Sequence, residues 1–315
     1  MALLSTTPQD RARMVKQAAA ETGFDACGIA RALPPDPEDH LGHWLAQGYH
    51  ADMDWLVRSK VLRQDVQEVL KGARSVVVVA RSYHAPRPPA PPRTGRVARY
   101  AWADDYHRVL RKPLRALAKR IASLEDKVRC RCFVDSGPVM EKWWAAQAGL
   151  GWIGKNSLVL RDGMGSWFVL GVVLTTVDLA CDEPALDQCS TCRLCIDACP
   201  TGAIAAPYVV DSRRCISYHT VENRGEVPEA VQERMGHWVF GCDVCQEVCP
   251  WNQNVADTTE QRLRPRAGQA GLDLAELAAI SGESFRERFE GTSIMRVGLE
   301  GMRRNAEIVQ RKQGR

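Results

Sequence analysis

The feature that most constrains this chain is the spacing of its cysteines. Eight of its 12 cysteines fall between positions 189 and 249, and they fall in runs. The first run is Cys189-x-x-Cys192-x-x-Cys195-x-x-x-Cys199-Pro200. Cys215 follows alone, and then comes Cys242-x-x-Cys245-x-x-x-Cys249-Pro250. Thiols two residues apart can wrap around one soft metal centre. Disulfides are a poor explanation. Met1 to Gln17 lacks the basic start, apolar stretch and cleavage site of a signal peptide. No apolar run approaches the ~20 residues of a membrane span. A cytoplasmic protein is therefore expected, with no membrane contact, and cytoplasmic thiols are seldom paired.

The first run has the spacing of bacterial ferredoxins, whose thiolates hold four-iron clusters. In two-cluster ferredoxins the fourth cysteine of a run ligates the other cluster. On that pattern one 4Fe-4S cluster takes Cys189, Cys192, Cys195 and Cys249, and the other takes Cys199, Cys215, Cys242 and Cys245. The count closes with none left over, although which cysteine serves which cluster stays open. The alternative is two structural zinc sites of four cysteines each, but the run is more specific than the paired CxxC of zinc. Cys27, Cys130, Cys132 and Cys181 lie outside the pattern and are assigned to no cluster.

The 315 residues suggest two domains with an added tail. With 45% hydrophobic and 25% charged residues the chain can bury a sizeable core. A helix is expected over 8–22, ended by Gly23, and a short strand over 24–30. Ser75 to Ala80, a run of β-branched residues, reads as a strand buried on both faces. Pro86 to Arg93 is too rich in proline for regular structure and reads as a basic surface loop. Asp104 to Leu124 reads as a helix whose apolar face is Leu110, Leu114, Leu117, Ala118 and Ile121, with Pro113 as an objection. Strands are expected over 129–135, 157–160 and 167–177, and a helix over 139–148. Cys130 and Cys132 should share an inner face. The net charge of +4 decides nothing. Its distribution is more informative, with Arg262, Arg264, Arg266, Arg286, Arg288, Arg296, Arg303, Arg304, Arg311 and Arg315 crowded into the end of the chain.

Several blocks resemble the epoxyqueuosine reductase family. They are Arg99-Tyr-Ala101, Asp105-Tyr-His107, Asp135-Ser-Gly-Pro138, Gly149-Leu-Gly-Trp-Ile-Gly-Lys-Asn156, Gly165-Ser-Trp-Phe168 and Cys195 to Ile204. Arg214-Cys-Ile-Ser-Tyr218, Gly241 to Gln246 and Cys249-Pro-Trp-Asn252 complete the set. The resemblance runs from about residue 10 to 310. It implies an α+β fold in three parts. Residues 1–178 would form a nitroreductase-like α/β sandwich binding cobalamin. Residues 179–258 would be a ferredoxin-like module with two 4Fe-4S clusters, and 259–315 an Arg-rich helical segment binding tRNA. The implied reaction is reduction of the epoxide of epoxyqueuosine, at the wobble position of a tRNA anticodon, to the alkene of queuosine. An external flavodoxin or ferredoxin system would supply electrons, and the enzyme would act as a monomer.

The resemblance makes Asp135 the proton donor, and donation at neutral pH calls for a raised pKa. Arg58, Arg99, Lys155, Asn156, Ser157, Ser217 and Tyr218 become candidate cobalamin contacts, as does Asp135 itself. Tyr100, Asp105, Tyr106 and His107 either line the active site or form a helix start packed on the sheet. His219 is disfavoured as a cobalt ligand, and Trp143 and Trp144 are expected in the core. Two rivals remain. One is a corrinoid reductase of small molecules akin to reductive dehalogenases. The other is a two-cluster electron carrier, which would need no acid such as Asp135.

Overall fold

The computed structural model describes residues 7–34, 36–89 and 91–313. Arg315 and Ala90, the latter within the proline-rich stretch, lie outside the described residues. So do the first six positions.

The architecture is mixed helix and sheet. Its centre is a four-stranded antiparallel sheet in the order Ala26–Arg31, Ser75–Ser82, Phe168–Thr175, Cys130–Phe133. Ser75–Ser82 is a central strand, and its valines alternate between two cores as the β-branched run implies. Val77 and Val79 pack with the helices Pro8–Glu21 and Tyr106–Ala122 on one side. Val76, Val78 and Ala80 pack with the helix Glu141–Gln147 on the other. Val76 to Ala80 are all fully buried, and each valine contributes about 1.5–3 kcal/mol through burial. A side chain at Gly28 would place its Cβ 2.1 Å from the carbonyl oxygen of Ala148. That near-contact explains how the 141–147 helix lies so close against the edge strand.

The first helix is set by a capping box between Thr7 and Asp10, with Pro8 in its first turn. Tyr106–Ala122 runs through Pro113 as a single helix and buries Val109, Leu110, Leu114, Leu117, Ala118 and Ile121. Cys27, Cys130 and Cys132 pack on the same core as that helix. The strand expected over 157–160 shrinks to Val159–Leu160, one arm of a two-residue hairpin with Trp152–Ile153.

A second core joins distant stretches of chain. Thr94–Val97 pairs in parallel with Trp238–Phe240 and antiparallel with Gly271–Asp273. Around this small sheet, Trp102, Phe240, Leu272, Leu277, Phe289 and Met302 are buried together. The Arg-rich tail therefore shares a core with the cysteine-bearing region. Most of its arginines are used internally. Arg262 and Arg266 pair with Asp104, Arg288 with Glu276, and Arg296 with Glu222. Arg303 bonds the carbonyl of Ile280, and Arg304 those of His219, Asn223 and Gly225. Arg262, Arg288 and Arg296 stay exposed despite these pairs, as do Arg264, Arg286 and Arg311.

The proline-rich loop differs from its expectation in the same way. Arg87 turns inward, with 14% of its side chain exposed. It pairs with Asp243 and Glu247 at 2.8 Å each and stacks over Trp102 at 4.8 Å. Two carboxylates and an aromatic face outweigh the solvation a guanidinium would have at the surface. Among the described residues no helix is long and apolar enough to cross a membrane.

Candidate active site

A cavity of about 1350 Å³ opens between the main sheet and the cysteine-bearing region. Asp135 stands in its wall, just past the strand Cys130–Phe133, with a left-handed φ of 57°. Two residues on, Gly137 is required, because a Cβ there would lie 2.1 Å from the Phe133 ring. The tight loop turns the Asp135 carboxylate into the cavity, and the 63% exposure of its side chain is exposure to that cavity.

The start of the helix Tyr106–Ala122 meets this carboxylate. Asp105 caps the helix by accepting from the His107 backbone N–H at 3.0 Å, and its Oδ1 also lies 2.7 Å from His107 Nδ1. The cap places His107 Nε2 3.6 Å from Asp135 Oδ2, to which the Tyr106 hydroxyl also donates. Tyr100, Asp105, Tyr106 and His107 all line the cavity.

The electrostatics reverse the expectation for Asp135. Burial pushes its carboxyl up, but the ion pair with His107 and the hydrogen bond from Tyr106 outweigh burial and hold it below the ordinary carboxylate value. The protons sit on its neighbours. Burial pulls His107 down, yet the Asp105 and Asp135 carboxylates push it up to about 9. Glu141 is pushed up to about 8, by burial first and then by the charge of Asp135.

Sequence reasoning missed Glu141, Lys142 and Arg63. Glu141 Oε1 accepts the Asp135 backbone N–H at 2.7 Å. Arg63 holds the same loop by donating to the carbonyls of Gly137 and Val139 at 3.2 Å each. Lys142 donates to the Ser157 carbonyl at 2.9 Å, and burial pulls its ammonium down. An acid in the first turn of a helix is the commonest of patterns, so Glu141 carried no distinguishing signal.

Of the other candidates, Asn156, Ser157, Ser217 and Tyr218 line the cavity. Arg58, Arg99 and Lys155 do not. Arg58 is exposed at the end of the helix Asp54–Arg58. Arg99 is buried away from the cavity, bonding the Ala85 carbonyl at 3.1 Å with its guanidinium 4.2 Å over Trp167. Lys155 lines a separate, smaller cavity. His219 uses both ring nitrogens, on the Arg213 carbonyl at 2.8 Å and on Asn223 at 3.0 Å. Trp144 is buried in the core with Trp143 edge-on at 4.8 Å.

The eight cysteines divide between the two cavities. Cys189, Cys192, Cys195 and Cys249 line the small one, of about 60 Å³. Cys199, Cys215, Cys242 and Cys245 stand in the wall of the large one. Among the described residues no three His, Cys, Asp or Glu side chains converge closely enough to hold a single metal ion. A four-iron cube spreads its thiolates over its corners, so two open quartets fit that group. Backbone N–H groups also point at the sulfurs. Ala203 donates to Cys199 Sγ at 3.2 Å, and Ser217 and Tyr218 approach Cys215. Such donors are what cluster thiolates use. Burial pushes Cys215, Cys242 and Cys245 up, so a bound cation is what would keep them ionised.

The family model described as a 4Fe-4S double cluster binding domain matches residues 188–252. The model described as Epoxyqueuosine reductase QueG, DUF1730, matches residues 63–136. An epoxyqueuosine reductase of Gloeobacter violaceus is 44% identical over 307 residues, covering 94% of each chain. The chain belongs to the epoxyqueuosine reductase family. The Escherichia coli K12 member is 41% identical, with 94% of this chain aligned to 80% of that one. A crystal structure of epoxyqueuosine reductase with an epoxyqueuosine-modified tRNA-Tyr stem loop superposes with a TM-score of 0.86 at 30% identity. It covers 94% of this chain and 80% of its own. The Streptococcus thermophilus member superposes at 0.83 and 27% identity, over 94% and 79% of the two chains.

Proposed function

We propose that this protein reduces the epoxide of epoxyqueuosine in tRNA to the alkene of queuosine, with cobalamin in the large cavity and two 4Fe-4S clusters on the cysteine quartets. One observation carries the reading. A proton-bearing group, Asp135 with Tyr106 and His107, and the Cys199, Cys215, Cys242, Cys245 quartet open onto the same cavity. An electron carrier alone has no use for the first.

The cavity exceeds the ~300–1,000 Å³ of ordinary small-molecule sites. Its rim carries short polar side chains suited to the amide groups of a corrinoid. These include Asn156, Ser157, Ser217 and Ser293, the last with a buried hydroxyl lacking a partner. Bound cobalamin would supply a reduced cobalt, a strong nucleophile or electron donor, for the hard step.

Converting an epoxide to an alkene and water consumes two electrons and two protons. At neutral pH His107 and Glu141 hold protons while Asp135 is ionised. Asp135 Oδ2, oriented by the Tyr106 hydroxyl, passes the proton of His107 Nε2 to the departing oxygen. Asp105 keeps His107 charged and aimed. The two quartets would hold the clusters that deliver electrons singly, the Cys199 set at the cavity and the Cys189 set behind it. A Bacillus subtilis relative has been solved with its catalytic aspartate loop swung out of the active site. We infer the same freedom for residues 134–139 here, with Glu141 and Arg63 holding the loop inward.

The tRNA anticodon stem loop is the proposed partner. Exposed Arg264, Arg286 and Arg311 of the 259–315 segment are suited to its phosphates. Trp55, 39% exposed at the cavity mouth with Arg63 5.2 Å from its ring, is suited to stacking an unpaired base. The proposal places the protein in the cytoplasm, as a monomer served by a flavodoxin or ferredoxin.

The test is reconstitution with iron, sulfide and cobalamin, followed by a strong reductant and an epoxyqueuosine stem loop. Queuosine is expected on nucleoside analysis. None formed, with both cofactors verified as bound, overturns the reading. Asp135→Asn should keep the cofactor spectra and lose turnover, and full activity in that variant would remove Asp135 from the mechanism.

A further inference from the structure

The Gly-rich turn 149–156 carries two groups that the proposed reaction leaves unexplained. Trp152 is 4% exposed, and its indole N–H has no hydrogen-bond partner. A buried donor left unpaired costs about 1–3 kcal/mol, so its retention calls for an acceptor. The Trp152 ring packs with Cys249 and Cys189, so the sulfurs of this quartet, and of a cluster bound on them, would be its acceptors. Trp251, edge-on to it at 4.8 Å, fixes the ring. The second group is Lys155. Its ammonium donates to the carbonyls of Ser190 and Cys192, the latter at 2.9 Å. A full positive charge thus sits on the loop between the first two thiols of the quartet.

The turn is built to bring these groups in. A Cβ at Gly151 would fall 2.1 Å from the Leu160 carbonyl oxygen, and one at Gly154 would fall 2.6 Å from the Leu160 side chain. Only glycines let the hairpin close this tightly over the cysteines.

We propose that Trp152 and Lys155 are positioning residues that raise the reduction potential of the cluster held by Cys189, Cys192, Cys195 and Cys249. This rests on the reading of that quartet as a cluster site. Adding one electron makes a cluster more negative, and N–H···S bonds and a nearby ammonium favour the more negative state. The other quartet has its own donors, Ala203 N–H on Cys199 among them, so the effect should be confined to one cluster.

The test uses the holoprotein as wild type, Trp152→Phe, Lys155→Met and Lys155→Arg. Trp152→Phe keeps an aromatic ring but removes the N–H, and Lys155→Arg keeps the charge. Iron content and electron paramagnetic resonance spectra first establish two clusters. Each cluster is then titrated anaerobically with dithionite, which gives it one electron and is itself oxidised to sulfite. Trp152→Phe and Lys155→Met should each lower one midpoint and leave the other unchanged, and Lys155→Arg should restore it. Two unchanged midpoints at full iron content overturn the proposal. A wild type without two clusters sinks the quartet reading instead. Should Lys155→Met lose iron, Trp152→Phe decides alone.

Discussion

Glu141 offers the sharpest perturbation of the proton inventory. Glu141→Gln keeps an oxygen to accept the Asp135 backbone N–H but cannot titrate. The groups acting on Glu141 are Asp135, whose charge raises it, and His107 and Arg63, whose charges lower it. Both Glu141, at about 8, and His107, at about 9, must be protonated for the wild type to hold two protons at the site. At pH 7 roughly 90% of molecules meet that condition. At pH 9 Glu141 is protonated in about one molecule in ten and His107 in about half, so roughly 5% do. The wild-type kcat/KM should therefore fall ~20-fold from pH 7 to pH 9. In Glu141→Gln only His107 titrates, and the fall should shrink to ~2-fold. The assay is single-turnover queuosine formation by pre-reduced, fully loaded enzyme in excess over the modified stem loop. A purely structural role for Glu141 would lower the rate without changing the shape of the profile. A variant falling as steeply as the wild type, or a wild type flat from pH 7 to 9, refutes the reasoning.

Two further perturbations address the loop and the clusters. Arg63→Met removes both bonds to the Gly137 and Val139 carbonyls, each worth about 1.5–3 kcal/mol when made by a charged group. Hydrogen exchange over residues 134–139 should accelerate and single-turnover rates drop ~10-fold or more; unchanged exchange counts against a latch. Cys199→Ser should lose the cluster at the large cavity and Cys249→Ser the other, although each cysteine lies in the opposite run. Resonance spectra that show the reverse assignment would overturn the division of ligands.

What the sequence disclosed depended on how local the cause was. The cysteine runs were legible because ligand geometry is written in spacings of two and three residues. The strand at 75–82 was legible because five successive residues are buried whichever way they point. Side chains whose partners lie far along the chain were not. Arg99 looked like a ligand contact, yet its backbone N–H is fixed by Asp243, 144 positions away. Lys155 was read as a cobalamin contact, but the partners that place its ammonium are carbonyls at 190 and 192. The pKa of Asp135 was misjudged for the same reason. Burial was foreseeable, whereas the Tyr106 hydrogen bond and the His107 ion pair that outweigh it come from a helix start 29 and 28 positions upstream.

The second core also bears on how the protein is made. Asn305 reaches back to the carbonyls of Thr220 and Val239 at 3.1 and 2.9 Å, and Arg304 to that of His219. These contacts clamp the stretch between Cys215 and Cys242, two thiols of the cavity-side quartet. While the ribosome is still adding residues near 300, the main sheet can already be complete, but that quartet cannot yet be held in place. Iron delivery to this quartet is therefore expected to follow the docking of the helix Gly298–Gln313. A chain stalled or clipped before residue 304 would present its cysteines to the cell as loose thiols.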